Sequence, residues 1–420
     1  METRSIFARV TALSLTLTLG LALCSGATAL EKKAQIAQAT GQSAAARTEL
    51  VHKLSAALAS AKIPASRRGA EVVDLATGEV IFARYPSGSL APASNEKLPI
   101  TLAALTRLGP EFRISTEVLG EGEQQGSEWL GDLVLKGHGD PDLSTADLKR
   151  LAKVVRATGI RSVSGNLLAD ESFFDRLRSA PGWKSSFLIN ECAPLSALST
   201  DRGHVTSASP PLVAARVFLQ ALAASGVKVK GEVQVGVASD EALSLASIES
   251  PPLWKLLRFM DRESDNYTAE LLLKQVGAFG NDQGTTANGA AEVMSVLADA
   301  GVPLAGVRIV DGSGLSRLDR ITAAALSQLL VDVWSDESLR SPFVGSLAIA
   351  GRLGTLSHRM RWRPTLGNVY AKTGTTNTAS ALSGYVRDRY AFAIVQNGSP
   401  IAAYRARAAQ DRFATVLAAQ

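Results

Sequence analysis

The spacing of apolar residues predicts helices in several parts of the chain. After a polar leader rich in Ala and Gln, apolar residues recur every three to five positions from Leu50 to Ile63, which is close to the spacing of one buried helix face. The same pattern, read with capping and stop signals, predicts the remaining helices. They cover residues 98–108, 145–158, 212–224, 253–260, 269–276 and 322–334, and a final segment rich in Arg and Ala.

Shorter apolar patterns predict strands near both ends of the chain. Residues 71–74 and 79–82 flank a turn at Gly78, which predicts a hairpin with Gly78 in a left-handed conformation. Residues 368–374, 381–387 and 390–396 predict three successive strands. The two early strands and the three late ones would form one antiparallel sheet with helices packed on it, so the expected fold class is α+β.

After the helix over residues 98–108, the pattern changes to short strands and turns interrupted by two of the predicted helices. Residues 163–169 predict one strand, and residues 227–237 predict a strand pair bent at Gly231. This stretch separates the early hairpin from the strands that complete its sheet. The expected division is a discontinuous domain over residues 30–109 and 250–420, with an inserted smaller α/β domain over residues 110–249.

The first residues have the three regions of a secretory signal peptide. Two arginines precede an apolar run over residues 10–23, and a small-residue site follows that ends at Ala29. We expect residues 1–29 to be removed by cleavage near Ala29, which gives a periplasmic or secreted protein with no stable membrane span. Cys24 offers a lipid anchor as the alternative, but Leu23 stands where a lipoprotein signal has a small residue. Cleavage leaves Cys192 as a lone thiol, so no internal disulfide is expected.

The charge and the histidines narrow the classes of partner and cofactor. A net charge of +5 with a pI near 9.2 suits an anionic polymer, a membrane surface or nucleic acid. Aromatic residues are only 5% and do not alternate with basic ones, so we expect no nucleic-acid partner. The four histidines lack metal-ligand spacing, so we expect no metal and no other cofactor. We interpret His138 as a loop residue, and Asp140 and Asp311 as structural carboxylates in turns.

Candidate chemistry begins at Ser94-x-x-Lys97. If a helix starts near Ser94, three residues make almost one turn and place the hydroxyl and the amine on one face, within reach of each other. A serine hydroxyl needs a base, and a lysine can serve only if burial or nearby cations keep it neutral. Pro99 removes the helical bond to the carbonyl of Asn95, so we expect a loose or kinked first turn.

Two further motifs stand later in the chain. Ser264-Asp265-Asn266 lies between two predicted helices, and Lys372-Thr373-Gly374 lies on a predicted strand. Singly, each has an ordinary structural interpretation, as a helix cap or as a solvated strand lysine. The ordered set of three motifs is far more specific, because it is the set that penicillin-binding proteins and class A β-lactamases share.

Additional stretches narrow the resemblance. They are Gly131-Asp132-Leu133, Gly139-Asp140-Pro141, Ala269-Glu270, the turn from Asp311 to Arg317, Ala350-Gly351 and Gly354-Thr355-Leu356. With the three motifs, the chain resembles the D-alanyl-D-alanine carboxypeptidase/endopeptidase family of low-molecular-mass class C penicillin-binding proteins, from about Leu54 to the last strand. The resemblance implies a β-lactamase/transpeptidase-like antiparallel five-stranded sheet with flanking helices. The further β-rich domain that family members usually carry after the segment Pro194–Leu198 is absent or reduced to a loop here.

The resemblance also implies a role for each motif residue. Ser94 would be the acylated nucleophile and Lys97 its general base, while Ser264 would relay a proton to the leaving amine. Asn266 would bind the backbone amide of the substrate. Lys372 would hold the positive potential of the site, which would also help keep Lys97 neutral by like-charge repulsion.

The strand that carries Lys372 would bind the substrate through Thr373, Gly374 and Thr375. The two threonine hydroxyls would meet the terminal carboxylate of D-alanine, and the backbone N–H groups of Ser94 and Thr375 would hold the oxyanion. The implied function is a serine DD-peptidase that acts on peptidoglycan stem peptides as carboxypeptidase, endopeptidase or both, with β-lactam antibiotics as inhibitors. A β-lactamase is an alternative, although the sequence offers no convincing Glu to activate water for deacylation. A non-catalytic wall-binding protein is another.

Overall fold

The computed structural model describes residues 45–203 and 209–420. The expected signal peptide, residues 1–29, lies outside the described residues, as does its cleavage site. Residues 56–420 form one compact unit, and the described residues before Ala56 are the first part of helix α1. The helices are α1 (45–59), α2 (Lys97–Leu108), α3 (Thr145–Ala157), α4 (Phe187–Asn190), α5 (Pro210–Ala224), α6 (Leu253–Glu263), α7 (Asn266–Gly277), α8 (Thr286–Asp299), α9 (Ala323–Ser335), α10 (Glu337–Ser346) and α11 (Ala403–Ala418).

The strands form two sheets. Their bounds are β1 (Arg68–Asp74), β2 (Val80–Arg84), β3 (Ser115–Gln125), β4 (Glu128–Gly137), β5 (Ser162–Val163), β6 (Leu167–Asp170), β7 (Lys228–Val229), β8 (Val233–Val235), β9 (Leu243–Glu249), β10 (Ala348–Ile349), β11 (Val369–Thr375), β12 (Ala379–Val386) and β13 (Tyr390–Asn397). The first sheet has the order β10-β11-β12-β13-β1-β2, and every neighbouring pair in it is antiparallel. The predicted α+β class is therefore confirmed.

The first sheet joins the two ends of the chain. β1 pairs with β13 in a register that runs from Arg68 opposite Gln396 to Asp74 opposite Tyr390. Gly78 turns the β1–β2 hairpin at a φ of 72°, as predicted. The sheet has six strands rather than the predicted five, because the two-residue strand β10 pairs with β11 at the edge. A strand this short has no alternating pattern to reveal it.

Helices cover both faces of the first sheet. Alternate residues of a strand face opposite sides, so Ala391, Ala393 and Val395 of β13 join the large apolar core under α2, α7 and α9. On the other face, Phe413 of α11 packs edge-on against Phe82, with ring centroids 5.4 Å apart. The small and apolar face of α11 is therefore buried against the sheet.

The second sheet is built from residues 115–249 and has two halves. β9, β3 and β4 are antiparallel, while the four short strands from β5 to β8 pair in parallel with β4 and with each other. α3 and α5 pack on it through an apolar cluster that includes Leu151 and Phe218. The single strand predicted over residues 163–169 is wrong, because the chain breaks it into β5 and β6 near Gly165. A Cβ at Gly165 would lie 2.1 Å from Asp132 Oδ1.

Two other regions bear on the sequence predictions. Only residues 204–209 separate a 3-10 turn at Asp201–Gly203 from α5, so no further domain follows the segment Pro194–Leu198. Cys192 is a buried free thiol.

Among the helices of residues 45–203 and 209–420, none combines the length and the hydropathy that crossing a bilayer requires.

Candidate active site

Ser94 lies in a 3-10 turn, Ala93–Glu96, and helix α2 begins at Lys97. The 3-10 turn brings Ser94 and Lys97 onto one face although the α-helix itself begins only at Lys97, and it stands where a loose or kinked first turn was expected. Pro99 is the third residue of α2, and a missing backbone donor is tolerated in the first turn of a helix. The distance between Lys97 Nζ and Ser94 Oγ is 3.1 Å, so the two groups are within hydrogen-bond reach despite the proline.

Lys97 is fully buried, and its amine has three oxygen neighbours. Nζ lies 3.1 Å from Ser94 Oγ, 2.8 Å from Asn266 Oδ1 and 2.9 Å from the carbonyl oxygen of Ser313. The Asn266 amide is oriented by its Nδ2, which donates to the carbonyl of Glu191 at 3.0 Å. A neutral amine has two N–H groups and one lone pair. Because Asn266 Oδ1 and Ser313 O can only accept, they take both N–H groups, and the lone pair faces the Ser94 hydroxyl.

Both lysines of the motifs are held in conditions that favour the neutral amine. Burial lowers the pKa of Lys97, although nearby carboxyl groups, Asp265 foremost, act in the opposite direction. Burial also lowers the pKa of Lys372, to about 7, with a further contribution from the charge of Lys97 and opposition from Asp261. Burial is therefore the main cause at both lysines, and the like-charge repulsion that the sequence predicted for Lys97 is found among the causes for Lys372.

The loop between α6 and α7 supplies one side of the site. Ser264 ends α6 in a left-handed conformation, with a φ of 61°, and its Oγ accepts a hydrogen bond from Lys372 Nζ at 2.8 Å. Asp265 is the residue that caps α7, since its side chain accepts from the backbone N–H of Thr268 at 2.7 Å. Ser264 and Asn266 are thus free of the capping role and reach the two lysines.

Strand β11 supplies the opposite side and lies directly against the turn that carries Ser94. Asn95 Nδ2 donates to the carbonyl of Lys372 at 3.0 Å. A Cβ at Gly374 would lie 3.0 Å from both Pro92 O and Ser94 N, so glycine lets the strand approach more closely than a larger residue would without a shift of the backbone. The structure brings together all three sequence motifs around Ser94.

Each threonine hydroxyl of β11 hydrogen-bonds with a side chain outside the motifs. Thr373 Oγ1 hydrogen-bonds with Thr355 Oγ1 at 2.8 Å. Thr375 Oγ1 donates to the carbonyl of Gly374 at 2.7 Å and accepts from Arg407 Nη2 at 3.1 Å. No sequence pattern predicts Arg407 at this position, because its contact depends on how α11 docks.

Buried carboxyl groups lie beneath the site, and the sequence assigned a structural role only to Asp311. That role fits the geometry, since Asp311 accepts from the N–H of Gly314 at 2.7 Å and from Trp183 Nε1 at 2.7 Å. Burial raises the pKa of Glu270 to about 8 and that of Asp261 to about 6. These groups retain protons at a pH where an ordinary carboxyl group has lost them.

The other singled-out residues lie apart from the Ser94 centre. Asp140 Oδ1 accepts from the N–H of Asp142 at 2.8 Å, a turn contact of the expected kind. His138 follows β4 and packs edge-on against Phe173, with ring centroids 5.0 Å apart. Within the described part of the chain, His, Cys, Asp and Glu side chains form no group that could hold a metal ion.

A cleft with a volume of about 790 Å³ opens beside the site, between the Gly314 turn and the end of β11 at Thr375. Glu191 is the one acidic residue among the described residues that line it. Four cationic side chains line it, Arg67, Lys184, Arg317 and Arg320. The charge of the cleft therefore favours an anionic ligand.

Comparisons with known proteins agree with this geometry. The sequence model of the D-Ala-D-Ala carboxypeptidase 3 (S13) family matches residues 50–211 and 204–420. The D-alanyl-D-alanine carboxypeptidase of Actinomadura sp. (strain R39) is 32% identical over 443 residues, which cover 85% of this chain and 82% of the relative.

Solved structures show the same fold at lower identity. Penicillin binding protein 4 (dacB) from Haemophilus influenzae has a TM-score of 0.76 at 23% identity, covering 88% of this chain and 98% of that chain. A penicillin G acylated predatory endopeptidase from Bdellovibrio bacteriovorus has a TM-score of 0.52 at 18% identity, covering 79% and 85%. The fold and the family resemblance expected from the motifs are both confirmed: the chain belongs to the D-Ala-D-Ala carboxypeptidase 3 (S13) family.

Proposed function

We propose that this protein, a serine-type D-Ala-D-Ala carboxypeptidase by family, hydrolyses peptidoglycan stem peptides through an ester formed on Ser94. The observation that carries the proposal is the buried amine of Lys97, 3.1 Å from Ser94 Oγ, with two carbonyl oxygens beside it. That arrangement supplies a nucleophile and a base whose lone pair already faces the proton to be removed.

In the acylation step, Lys97 takes the hydroxyl proton as Ser94 Oγ attacks the carbonyl carbon of the penultimate D-alanine. The backbone N–H groups of Ser94 and Thr375 stabilise the oxyanion. The C–N bond then breaks, and the leaving amine of the terminal D-alanine receives a proton from Ser264. Lys372 restores that proton, because its ammonium lies 2.8 Å from Ser264 Oγ and its pKa of about 7 makes both protonation states accessible.

The end of β11 binds the terminal carboxylate of the substrate. Thr373 and Thr375 present hydroxyl groups there, and Lys372 contributes a buried positive charge. Arg407 aligns the hydroxyl of Thr375. Asn266 holds Lys97 through Oδ1, while its amide group binds the backbone of the stem peptide in the role that the family pattern implies. In deacylation, a water molecule attacks the ester carbonyl and gives its proton to Lys372 through Ser264. Lys97 returns its proton to Ser94 Oγ as the ester bond breaks, so the shortened peptide leaves and Ser94 and both lysines regain their starting states.

A β-lactam follows the first step of the same path. Ser94 Oγ attacks the lactam carbonyl and opens the ring, but the amine stays tethered to the acyl group and cannot diffuse away. The ester on Ser94 therefore persists, which makes β-lactams inhibitors. Cleavage of a peptide crosslink differs from carboxypeptidase action only in the amine that leaves, so the cleft beside Thr375 must admit a longer leaving group for endopeptidase activity.

The domain organisation and the location are part of the proposal. Residues 30–109 and 250–420 form the transpeptidase-like catalytic domain, and residues 110–249 form the inserted domain. The strand orders support this division, since one sheet takes its strands only from the flanking segments and the other takes them only from residues 115–249. Cleavage near Ala29 delivers the enzyme to the periplasm, where its cell-wall substrate lies.

A labelled penicillin and crosslinked muropeptides test the function together. The purified protein should become labelled on Ser94, as identified by peptide mass, and should release D-alanine or cut crosslinks, as identified by product mass. Ser94→Ala should abolish both results. A folded wild-type protein that stays unlabelled and releases no product contradicts the proposal, and rapid turnover of nitrocefin would indicate a β-lactamase instead.

A further inference from the structure

The turn over residues 312–314, whose Ser313 carbonyl contacts Lys97, packs closely between helix α7 and the Ser94 turn. A Cβ at Gly312 would lie 2.4 Å from the carbonyl oxygen of Ala269 in α7. A Cβ at Gly314, whose φ is 80°, would lie 1.9 Å from the carbonyl oxygen of Ala93. Between these two close approaches, the carbonyl of Ser313 points at the amine of Lys97, 2.9 Å from Nζ.

Glu270 fixes this turn from helix α7. Its Oε1 accepts hydrogen bonds from two successive backbone N–H groups, those of Gly312 at 3.1 Å and of Ser313 at 2.8 Å. Glu270 is fully buried, and it lies four residues after Asn266, so the two side chains share one face of the helix. One face of α7 therefore positions both acceptors of the Lys97 N–H groups. Asn266 supplies the first acceptor itself, and Glu270 holds the Ser313 carbonyl, which is the second.

We propose that Glu270 is a positioning residue for Lys97, because by holding the Ser313 carbonyl in place it keeps the lone pair of the amine directed at the Ser94 hydroxyl. The inference rests on the proposed function of Ser94 and Lys97. Two acceptors are needed to occupy the two N–H groups of a neutral amine. If the Ser313 carbonyl moves away, the amine can rotate and turn an N–H group toward Ser94, and it then no longer accepts the proton.

The protonation state of Glu270 decides which substitution tests its positioning role. When ionised, Glu270 raises the pKa of Lys97, and Asp265, Asp311 and Asp261 act in the same direction. The other titratable groups around the site are Glu96, Lys372, Asp319 and the Cys192 thiol. A glutamine at position 270 keeps the acceptor oxygen but cannot carry the negative charge, so it separates positioning from charge.

The test measures the rate of acylation by a β-lactam as a function of pH in Glu270→Gln and Glu270→Leu. The glutamine variant should keep the maximal rate within about threefold, and its acidic limb should stay in place at and below neutral pH, because Glu270, with a pKa of about 8, already carries a proton there. The leucine variant lacks the acceptor and should acylate about a hundredfold more slowly at every pH.

A matched control uses another buried glutamate outside the site. Glu71 lies on β1 and accepts a hydrogen bond from Ser327 Oγ, so Glu71→Gln should leave the acylation profile unchanged. Thermal unfolding establishes that each variant is folded. The inference is wrong if Glu270→Leu acylates at the wild-type rate, or if Glu270→Gln loses as much activity as Glu270→Leu. A wild-type protein that is never acylated contradicts the proposed function instead.

Discussion

A methyl group added at Gly374 should separate the two halves of the oxyanion site. In Gly374→Ala, the new Cβ would lie 3.0 Å from Pro92 O and from Ser94 N, and 3.1 Å from Ala93 Cβ. All three atoms belong to the backbone or the first side-chain carbon of one turn, so no flexible side chain can move aside. The hydrogen bond from Asn95 Nδ2 to the Lys372 carbonyl ties the same strand to the same turn.

The expected loss of acylation rate follows from the distance by which strand β11 and the Ser94 turn must separate. Ordinary contact begins at 3.4 Å, so strand and turn must separate by about 0.4 Å. That movement displaces the N–H of Thr375 relative to the N–H of Ser94. Complete loss of one oxyanion donor costs about a hundredfold to a thousandfold in rate, so a partial displacement should cost about tenfold to a hundredfold. The overpacking should also destabilise the fold by about 1–3 kcal/mol.

The assay compares the second-order rate of acylation by a fluorescent penicillin in wild type, Gly374→Ala and Gly345→Ala. Gly345 lies in α10, and a Cβ there meets nothing within 4 Å. The Gly345 variant should therefore acylate normally and unfold within about 0.5 kcal/mol of wild type. Acylation of folded Gly374→Ala at the wild-type rate would refute the idea that the close approach of β11 sets the oxyanion geometry.

The remaining predictions concern the guanidinium group of Arg407, the ammonium group of Lys372 and the carboxyl group of Asp140. Arg407→Ala removes a donor to Thr375 Oγ1 and should lower kcat/KM for D-alanine release about tenfold, mainly through KM. Because the pKa of Lys372 is about 7, the preference for a carboxylate-ended peptide over its C-terminal amide should fall as the pH rises through 7. Burial raises the pKa of Asp140 from 3.8 to about 7, so between these values the native state binds a proton that the unfolded state has lost, and stability falls as the pH rises. Asp140→Asn should remove this slope in denaturant unfolding and add at most roughly 4 kcal/mol above pH 7.

The fold was predictable where the pattern of apolar residues repeats over several turns or strands. The strands of the first sheet other than β10 have that repetition, as do helices α2, α3, α9 and α11. Helix α8 was missed because its sequence contains Gly289, which local propensity disfavours in a helix. The glycine is there for tertiary packing, since a Cβ would lie 2.1 Å from the carbonyl oxygen of Leu273 in α7. Helix α10 was missed for a related reason, because Pro342 lies inside it.

The candidate site was predictable to the extent that side chains define it. The three motifs name the groups around Ser94, and the structure brings those groups together. The carbonyl of Ser313 is different, because every residue has a carbonyl and only the path of the turn makes this one a partner of Lys97. Glu270 acts on that backbone, so nothing in its own side-chain chemistry marks it in the sequence.

The distribution of protons explains how Lys97 can be neutral among so many carboxyl groups. An ionised carboxylate nearby would hold Lys97 in the ammonium form. Burial raises the pKa of Glu96 well above its ordinary value, that of Glu270 to about 8 and that of Asp319 to about 12. At neutral pH these groups therefore retain their protons and exert no such attraction. Glu270 thus supports the turn through its oxygen acceptor without fixing the charge of Lys97, whereas burial of the amine opposes the attraction of Asp265 and Asp311. This is why the glutamine substitution at Glu270 should preserve acylation while the leucine substitution should not.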